Sequence, residues 1–305
     1  MDFRQLHYLL TVAEERNVTR AAEKLFISQS ALSHYIKNVE EELGTTLFDR
    51  STSPMSLTYA GERYMESARR ILLEQERLTN EIRDITQHMS GKLVVGSSRD
   101  RASYMMPRLL PAFAKKYPGI EVEVYTGSGK HILEALREGR VDLVLLPRQW
   151  DDKEQNLETA LIYREELVLA ARKGTIKPEM LLKGSRAVKP RAMESLPFFL
   201  LFQEHAMRAF CDSYFKQKKI KPEIKMQFSS NITSYRMAST GLGVTMIPYL
   251  TTRMSNVEEE VELFSLGKDP VTWDVMAFYR KDYYMGLPEK DFIALAQEVF
   301  ANEFL

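Results

Sequence analysis

VTRAAEKLFISQSALSHYIKNVEEELGTTLFDR, the stretch from Val18 to Arg50, reads as two short helices with a tight connection, then a turn and the start of a small β-ribbon. Ala21, Ala22 and Leu25 supply the small, apolar contact face of the first helix, and the break falls at Phe26-Ile27. Ser28 suits the N-cap of the second helix, because its hydroxyl can accept a first-turn N–H that has no partner within the helix. There Leu32, Tyr35, Ile36, Val39 and Leu43 recur at three- and four-residue steps and define one buried stripe. The opposite stripe, Ser30, Ser33, His34, Lys37 and Glu41, is polar and mostly short, with Gln29 beside it in the first turn. A helix held from behind by a core, with Gln, Ser and His near its N-terminus, suits insertion into a DNA major groove. The pair is a helix-turn-helix candidate, although periodicity alone fits an ordinary αα-hairpin equally well.

The order of the residues separates these readings. Ala21-Ala22, Leu25, Ser28-Gln29, Ser33, Ile36, Glu40, Leu43-Gly44, Leu47-Phe48 and Arg50, then Leu57-Thr58 and Ala60-Gly61, closely resemble the signature of the LysR-type transcriptional regulators. Ser30 stands where many relatives have Pro, and Ser51-Thr52-Ser53-Pro54, at the wing-tip position, has none of the extra arginines frequent in the family. The resemblance implies an α/β protein with a winged helix-turn-helix domain over residues 1–58, a linker and dimerisation helix over 59–89, and an effector-binding regulatory domain over 90–305.

Composition bounds the alternatives. A chain of 305 residues suggests about two domains with volume for real cores. The 42 basic residues balance 42 acidic ones, so net charge selects no partner. The single Cys211 leaves no internal disulfide framework and fits a reducing cytosol. No signal-peptide core follows Asp2 and Arg4, and no run of about eighteen apolar residues could span a membrane, so a cytoplasmic protein is expected. Local charge is less favourable to DNA. Within residues 1–65, Arg4, Arg16, Arg20, Lys24, Lys37, Arg50 and Arg63 face Asp2, Glu14, Glu15, Glu23, Glu40, Glu41, Glu42, Asp49 and Glu62. A slightly acidic head must gather its cations on one face to meet phosphate.

From Thr58 to about Met89 helix formers dominate, and Gly61 is the only Gly or Pro. Tyr64, Ala68, Ile71, Gln75, Leu78, Ile82, Ile85 and Met89 alternate four- and three-residue intervals, an a/d stripe with one polar member. It fits either a helix packed on its own domain or a pairing between subunits, and the family's linker helix pairs. Two recognition helices about one duplex turn apart then demand a two-fold-related double-stranded DNA site. The resemblance further implies a homotetramer assembled from two homodimers.

After Gly91 the texture changes. Strands at Lys92–Gly96, Glu121–Tyr125 and Val141–Leu146 alternate with helices, and a second α/β unit begins near Glu165, which argues for a parallel sheet. The strand Val271–Tyr279 and the helix Glu289–Phe304 read as a return to the first unit. Two lobes, I at about 90–163 with 268–305 and II at about 164–267, resemble the periplasmic-binding-protein-like regulatory domain of the family. Ligands of open α/β sheets sit at the carboxyl ends of strands, here between the lobes. Ser97, Ser98, Arg99, Thr126, Ser128, Arg148, Phe202, Gln203 and Asn231 occupy such ends and are the expected effector contacts. Taken singly, each Ser is better explained as a helix cap or tight turn, and it is the convergent set at strand ends that favours a ligand. Arg99 and Arg148 suit a carboxylate on a small-molecule effector.

No metal, cofactor or catalytic constellation is expected. The five histidines are scattered, no phosphate loop or nucleophile elbow appears, and Gly241-Leu242-Gly243 precedes a strand instead of following one. Cys211, beside Phe210 and Tyr214, reads as a core thiol. The expected function is a sequence-specific transcription regulator, not an enzyme. Gln29, Ser30, Ser33, His34 and Lys37 would read bases, while Thr19, Arg20, Arg50 and Thr58 would hold the DNA backbone. The competing reading is a solute-binding module or an enzyme built on the two lobes.

Overall fold

The computed structural model describes residues 2–52, 54–85, 90–148, 156–281 and 284–301, without the side chains of 73, 76, 77, 80, 81 and 83–85. The chain divides into two units, Met1–Gln87 and His88–Leu305.

The N-terminal unit holds α1 (Phe3–Glu15), α2 (Val18–Lys24), α3 (Gln29–Leu43), a hairpin of β1 (Phe48–Asp49) and β2 (Ser56–Leu57), and α4 (Tyr59–Ile85). Each of the first three helices starts on a short polar residue that accepts a first-turn amide: Asp2 from Arg4, Asn17 from Arg20, Ser28 from Ala31. Leu6, Leu9, Ala21, Leu32, Ile36, Leu47 and Met65 share one core. Tyr35 sets its ring edge-on to Tyr8, with centroids 5.3 Å apart. Leu43, read from sequence as core, is 45% exposed, because it is the last residue of α3 and Gly44 turns the chain away at φ +66°.

A Cβ on Gly61 would lie 2.0 Å from the Leu47 carbonyl oxygen, so only glycine lets α4 close on the hairpin entry. The apolar stripe of α4 divides. Ala68 is buried and Tyr64 packs on the core, whereas Ile71, Leu78 and Ile82 are 39, 57 and 51% exposed. The Ile85 side chain, Met89 and Ser53 of the wing-tip motif lie outside the described residues.

The C-terminal unit runs β3 (Ser90–Ser97), α5 (Arg99–Lys116), β4 (Gly119–Thr126), α6 (Gly129–Arg137), β5 (Leu143–Pro147), β6 (Leu157–Arg172), α7 (Pro190–Met193), β7 (Pro197–Leu201), α8 (Ala206–Lys218), β8 (Glu223–Phe228), α9 (Asn231–Ala238), β9 (Val244–Pro248), β10 (Val261–Ser265), β11 (Thr272–Arg280) and α10 (Leu287–Phe300). The strands order as β4-β3-β5-β11-β6-β9-β7-β8, with β10 also on β6. The sheet is mixed where the alternation of strands and helices predicts a parallel one. β3 runs parallel to β4 and β5, and β7 to β8 and β9, but every pairing of β6 and of β11 is antiparallel.

The reason lies in the two crossings. β6 pairs with β11 from Leu157 to Glu166 and with β9 from Leu167 onward, so one continuous strand serves lobe I and then lobe II. Apolar helix faces cover both sides: α5 and α10 through Phe113 and Phe292, α6 through Ile132 and Leu136, α8 through Phe210 and Phe215, and α9 through Tyr235.

Phe26, in the turn between α2 and α3, sits at φ +54° and is 95% exposed, so a bulky side chain holds a left-handed backbone with no burial to offset it. Phe26→Asn, which tolerates that conformation, is expected to stabilise the N-terminal unit by about 1 kcal/mol. Thermal unfolding followed by circular dichroism checks this, and an unchanged or lowered midpoint would show that the turn is not strained.

Candidate DNA-binding face and effector cleft

Burial of Leu32, Ile36 and Val39 turns the other side of α3 outward. Gln29, Ser30, His34 and Lys37 are exposed and Ser33 is half-buried. Gln29 Nε2 donates to Ser33 Oγ at 2.9 Å, one helical turn away, while Ser28 Oγ and Ser30 Oγ are 3.1 Å apart. A groove of about 700 Å³ runs between α3 and the hairpin, lined by Ser33, His34, Lys37, Glu40, Thr46, Phe48, Asp49, Arg50 and Thr58. It gathers Ser33, His34, Lys37, Arg50 and Thr58 of the expected DNA set, and Thr19, Arg20, Gln29 and Ser30 are not in its lining.

Glu40 was read in the sequence only as a member of the family signature, yet it fixes the groove. Its Oε1 accepts from the Leu47 and Phe48 amides at 2.7 and 3.2 Å, and its Oε2 lies 3.4 Å from Arg50. Thr58 is occupied internally: its hydroxyl donates to the Thr46 carbonyl at 2.7 Å and accepts from Gly61 N–H at 3.0 Å, as a cap for α4. Arg20 reaches back to the Glu15 carbonyl at 3.1 Å. Lys24 lies 2.9 Å from Glu15, and the hydrogen bond between them, more than charge attraction, raises the lysine's pKa and lowers the carboxylate's. Lys37 lies 3.4 Å from Glu41.

In the two-lobed unit the expected effector residues separate into three groups. Ser97 is fully buried and its hydroxyl donates to the Leu145 carbonyl at 2.9 Å, which ties β3 to β5 and turns that hydroxyl away from any ligand. Ser128 caps α6, accepting from His131 N–H at 3.4 Å, and Arg148 donates to Thr159 Oγ1 at 3.1 Å. Thr126, Phe202 and Gln203 are exposed at strand ends. Ser98 stands at the N-cap of α5 without a side-chain cap bond, and Arg99 is exposed with no charged partner among the described residues. Asn231, the first residue of α9, meets the neighbour of those two, because its N–H donates to Asp100 Oδ2 at 3.1 Å across the lobes. Ser230 Oγ adds bonds of 3.3 and 3.4 Å to the same carboxylate.

Behind this contact lies Glu165, fully buried in β6 one residue before Glu166 ends the pairing with β11. It accepts from Arg101 at 3.1 Å, from the Trp273 indole at 2.8 Å and from Leu250 N–H at 2.9 Å. Arg101 also donates to the Tyr163 hydroxyl. Neither Asp100 nor Glu165 stood out in the sequence, and the only available signal for Asp100 was its place beside Ser98 and Arg99 at a strand end.

A helix-turn-helix head with a solvent-facing recognition helix and a separate two-lobed α/β unit define a ligand-responsive DNA-binding regulator. Residues 3–62 match the family model described as "Bacterial regulatory helix-turn-helix protein, lysR family", and residues 86–301 match "LysR substrate binding domain". The chain belongs to the LysR-type transcriptional regulator family. It is 32% identical over 263 residues to a probable RuBisCO transcriptional regulator of Trieres chinensis, covering 85% of this chain and 82% of that one. An uncharacterized HTH-type transcriptional regulator of Bacillus subtilis (strain 168), YcgK, is 29% identical across 100% of this chain and 96% of its own length. In fold it resembles full-length OxyR from Pseudomonas aeruginosa (TM-score 0.73, 22% identity, 99% and 95% coverage). It also resembles full-length CbnR solved with its target DNA (TM-score 0.63, 22% identity, 98% and 100% coverage). The protein is a DNA-binding transcription regulator with an effector-binding domain, and its relatives are regulators, not enzymes.

Cys211, the chain's single cysteine, is 2% exposed on α8, and burial, followed by the nearby Asp212 charge, pushes its thiol far above the ordinary range. The folded protein is expected to leave Ellman's reagent unreacted and to release one equivalent only after unfolding in guanidinium. Rapid reaction of the native protein would contradict the buried placement.

Proposed function

We propose that residues 1–58 bind double-stranded DNA, that residues 59–89 pair two subunits, and that residues 90–305 take a small-molecule effector between lobe I (about 90–163 and 268–305) and lobe II (about 164–267). The observation that carries the first assignment is the polar edge of α3, exposed on a helix clamped from behind by Leu32, Ile36 and Val39. Gln29 suits adenine edges, Ser30, Ser33 and His34 suit bases or phosphates, Lys37 completes the base-reading face, and Thr19, Arg20, Arg50 and Thr58 suit the DNA backbone.

Pairing through α4 is supported by Ile71, Leu78 and Ile82, which expose apolar surface at a/d spacing. Such a dimer reads a two-fold-related site, and two dimers form the homotetramer that family membership suggests. Arg99 and Arg148, neither paired with an acid among the described residues, support an effector carrying a carboxylate. Its binding would shift the balance between lobe arrangements by differential affinity. The cytoplasm is the proposed compartment. Among the described residues no helix is long and apolar enough to cross a membrane.

Ser33→Glu places a carboxylate on the proposed groove face without touching the core. In a gel shift at physiological salt, the wild type is expected to prefer promoter DNA from beside its own gene over random duplex by about 10³-fold or more. The variant should lose that preference and keep its unfolding midpoint, and retained specific binding would show that another face reads the DNA. The double variant Leu78→Asp, Ile82→Asp is expected to sediment as a smaller species and to bind the same promoter more weakly. An unaltered sedimentation coefficient would place the dimer contact elsewhere.

A further inference from the structure

The first turn of α5 holds the second lobe at two adjacent points of different character. Arg101 is 4% exposed and enters the buried cluster around Glu165, where β6 passes from its pairing with β11 to its pairing with β9. Asp100, one residue earlier, is only half-buried and reaches out to the start of α9. Its carboxylate takes the Asn231 N–H and the Ser230 hydroxyl, and that hydroxyl in turn accepts the Ile232 N–H at 3.2 Å. No cation pairs with Asp100 among the described residues, so only neutral donors and the helix dipole hold this charge. The amide oxygen of Asn231, at the same place, is buried and has no partner among the described residues.

We propose that Asp100 is an internal surrogate for the effector: from lobe I it fills an anion seat on lobe II, and an acidic effector acts by taking that seat. This rests on reading the interlobe cleft as the effector site. The structure already shows a carboxylate bound at α9, and that carboxylate belongs to the facing lobe, so the seat can be filled without ligand only while the lobes are closed. A ligand that supplies its own carboxylate releases Asp100 and with it the cleft-side tie, while the Arg101–Glu165 cluster stays as the pivot. The free Asn231 oxygen favours an effector that places a hydroxyl or amino donor beside its acid group. Asp100 is thus a specificity-determining residue, since it competes with anions and leaves the rest of the cleft untouched.

The test is amide hydrogen exchange on the full-length protein, read in peptides covering residues 229–238, with peptides from β7 and β9 as internal controls. Asp100→Ala is expected to speed exchange at the start of α9 by about tenfold or more, as befits the loss of a hydrogen bond to a charged group, with the controls unchanged. Sodium acetate, but not sodium chloride at equal ionic strength, should restore the protection in the variant. Asp100→Asn, which keeps an acceptor oxygen, should lie between the two.

Unchanged exchange in Asp100→Ala, an equal rise throughout lobe II, or equal effects of acetate and chloride would overturn the proposal. A promoter gel shift on the same preparations keeps the failures apart. Loss of specific binding by the wild type would count against the DNA-binding assignment, whereas the exchange pattern reports on Asp100 alone.

Discussion

The two-lobed unit depends on how one buried carboxylate is satisfied. Glu165 is 0% exposed, and a charge so placed is costly unless its oxygens are fully paired. Its three donors come from three places in the chain: Arg101 on α5, Trp273 on β11 and the backbone of Leu250 after β9. Lobe I supplies the guanidinium and, from β11, the indole, while lobe II supplies the amide. No donor can leave without stranding the charge, so the point where β6 changes partners is the least free to deform. The contact of Asp100 with α9, by contrast, is half-buried, and its bonds are ones that water can replace.

The sequence was most legible where structure is local. The cap at Ser28, the buried stripe of α3 as far as Val39 and the starts of most strands depend on neighbours a few residues away, and they appear where periodicity and turn chemistry put them. Strand direction was less legible. The first half of β6, LETALIYREE, mixes charges with apolar residues because one edge of lobe I is half solvated, so it lacks the continuous apolar run that marks β5. β10 is five residues long and left no separate mark. With those two absent, alternation suggested a parallel sheet, and the antiparallel crossings emerged only from pairing across more than a hundred residues.

The strand-end residues were legible in position but not in role. Strand ends mark where a ligand can sit, yet whether a serine there faces outward or spends its hydroxyl on the sheet depends on tertiary neighbours. Ser97 bonds to Leu145 and Ser98 is left free, although the two are adjacent and chemically identical. Asp100 and Asn231 are 131 residues apart, and nothing local to either announces their meeting. In the head, Thr58 shows the same limit, since a hydroxyl near the proposed DNA face turns out to cap α4.

The acidic balance of the head now has a physical reading. Three of its exposed cations sit beside acids: Lys24 is paired with Glu14 and Glu15, Lys37 with Glu41, and Arg50 with Glu40. Exposed pairs of this kind contribute at most about 1 kcal/mol each, so a phosphate can displace the acid at little expense. What the pairs cost is affinity, because each released carboxylate remains near the DNA and repels it. Glu40 is the exception, since its Oε1 is fixed by the Leu47 and Phe48 amides and only its Oε2 faces Arg50. Arg50 can therefore turn to a phosphate without loosening the hairpin entry that positions it. With the DNA contacts proposed above, such a head would leave more of its discrimination to the uncharged edge at Gln29, Ser30 and Ser33, where hydrogen-bond geometry, unlike charge, depends on sequence.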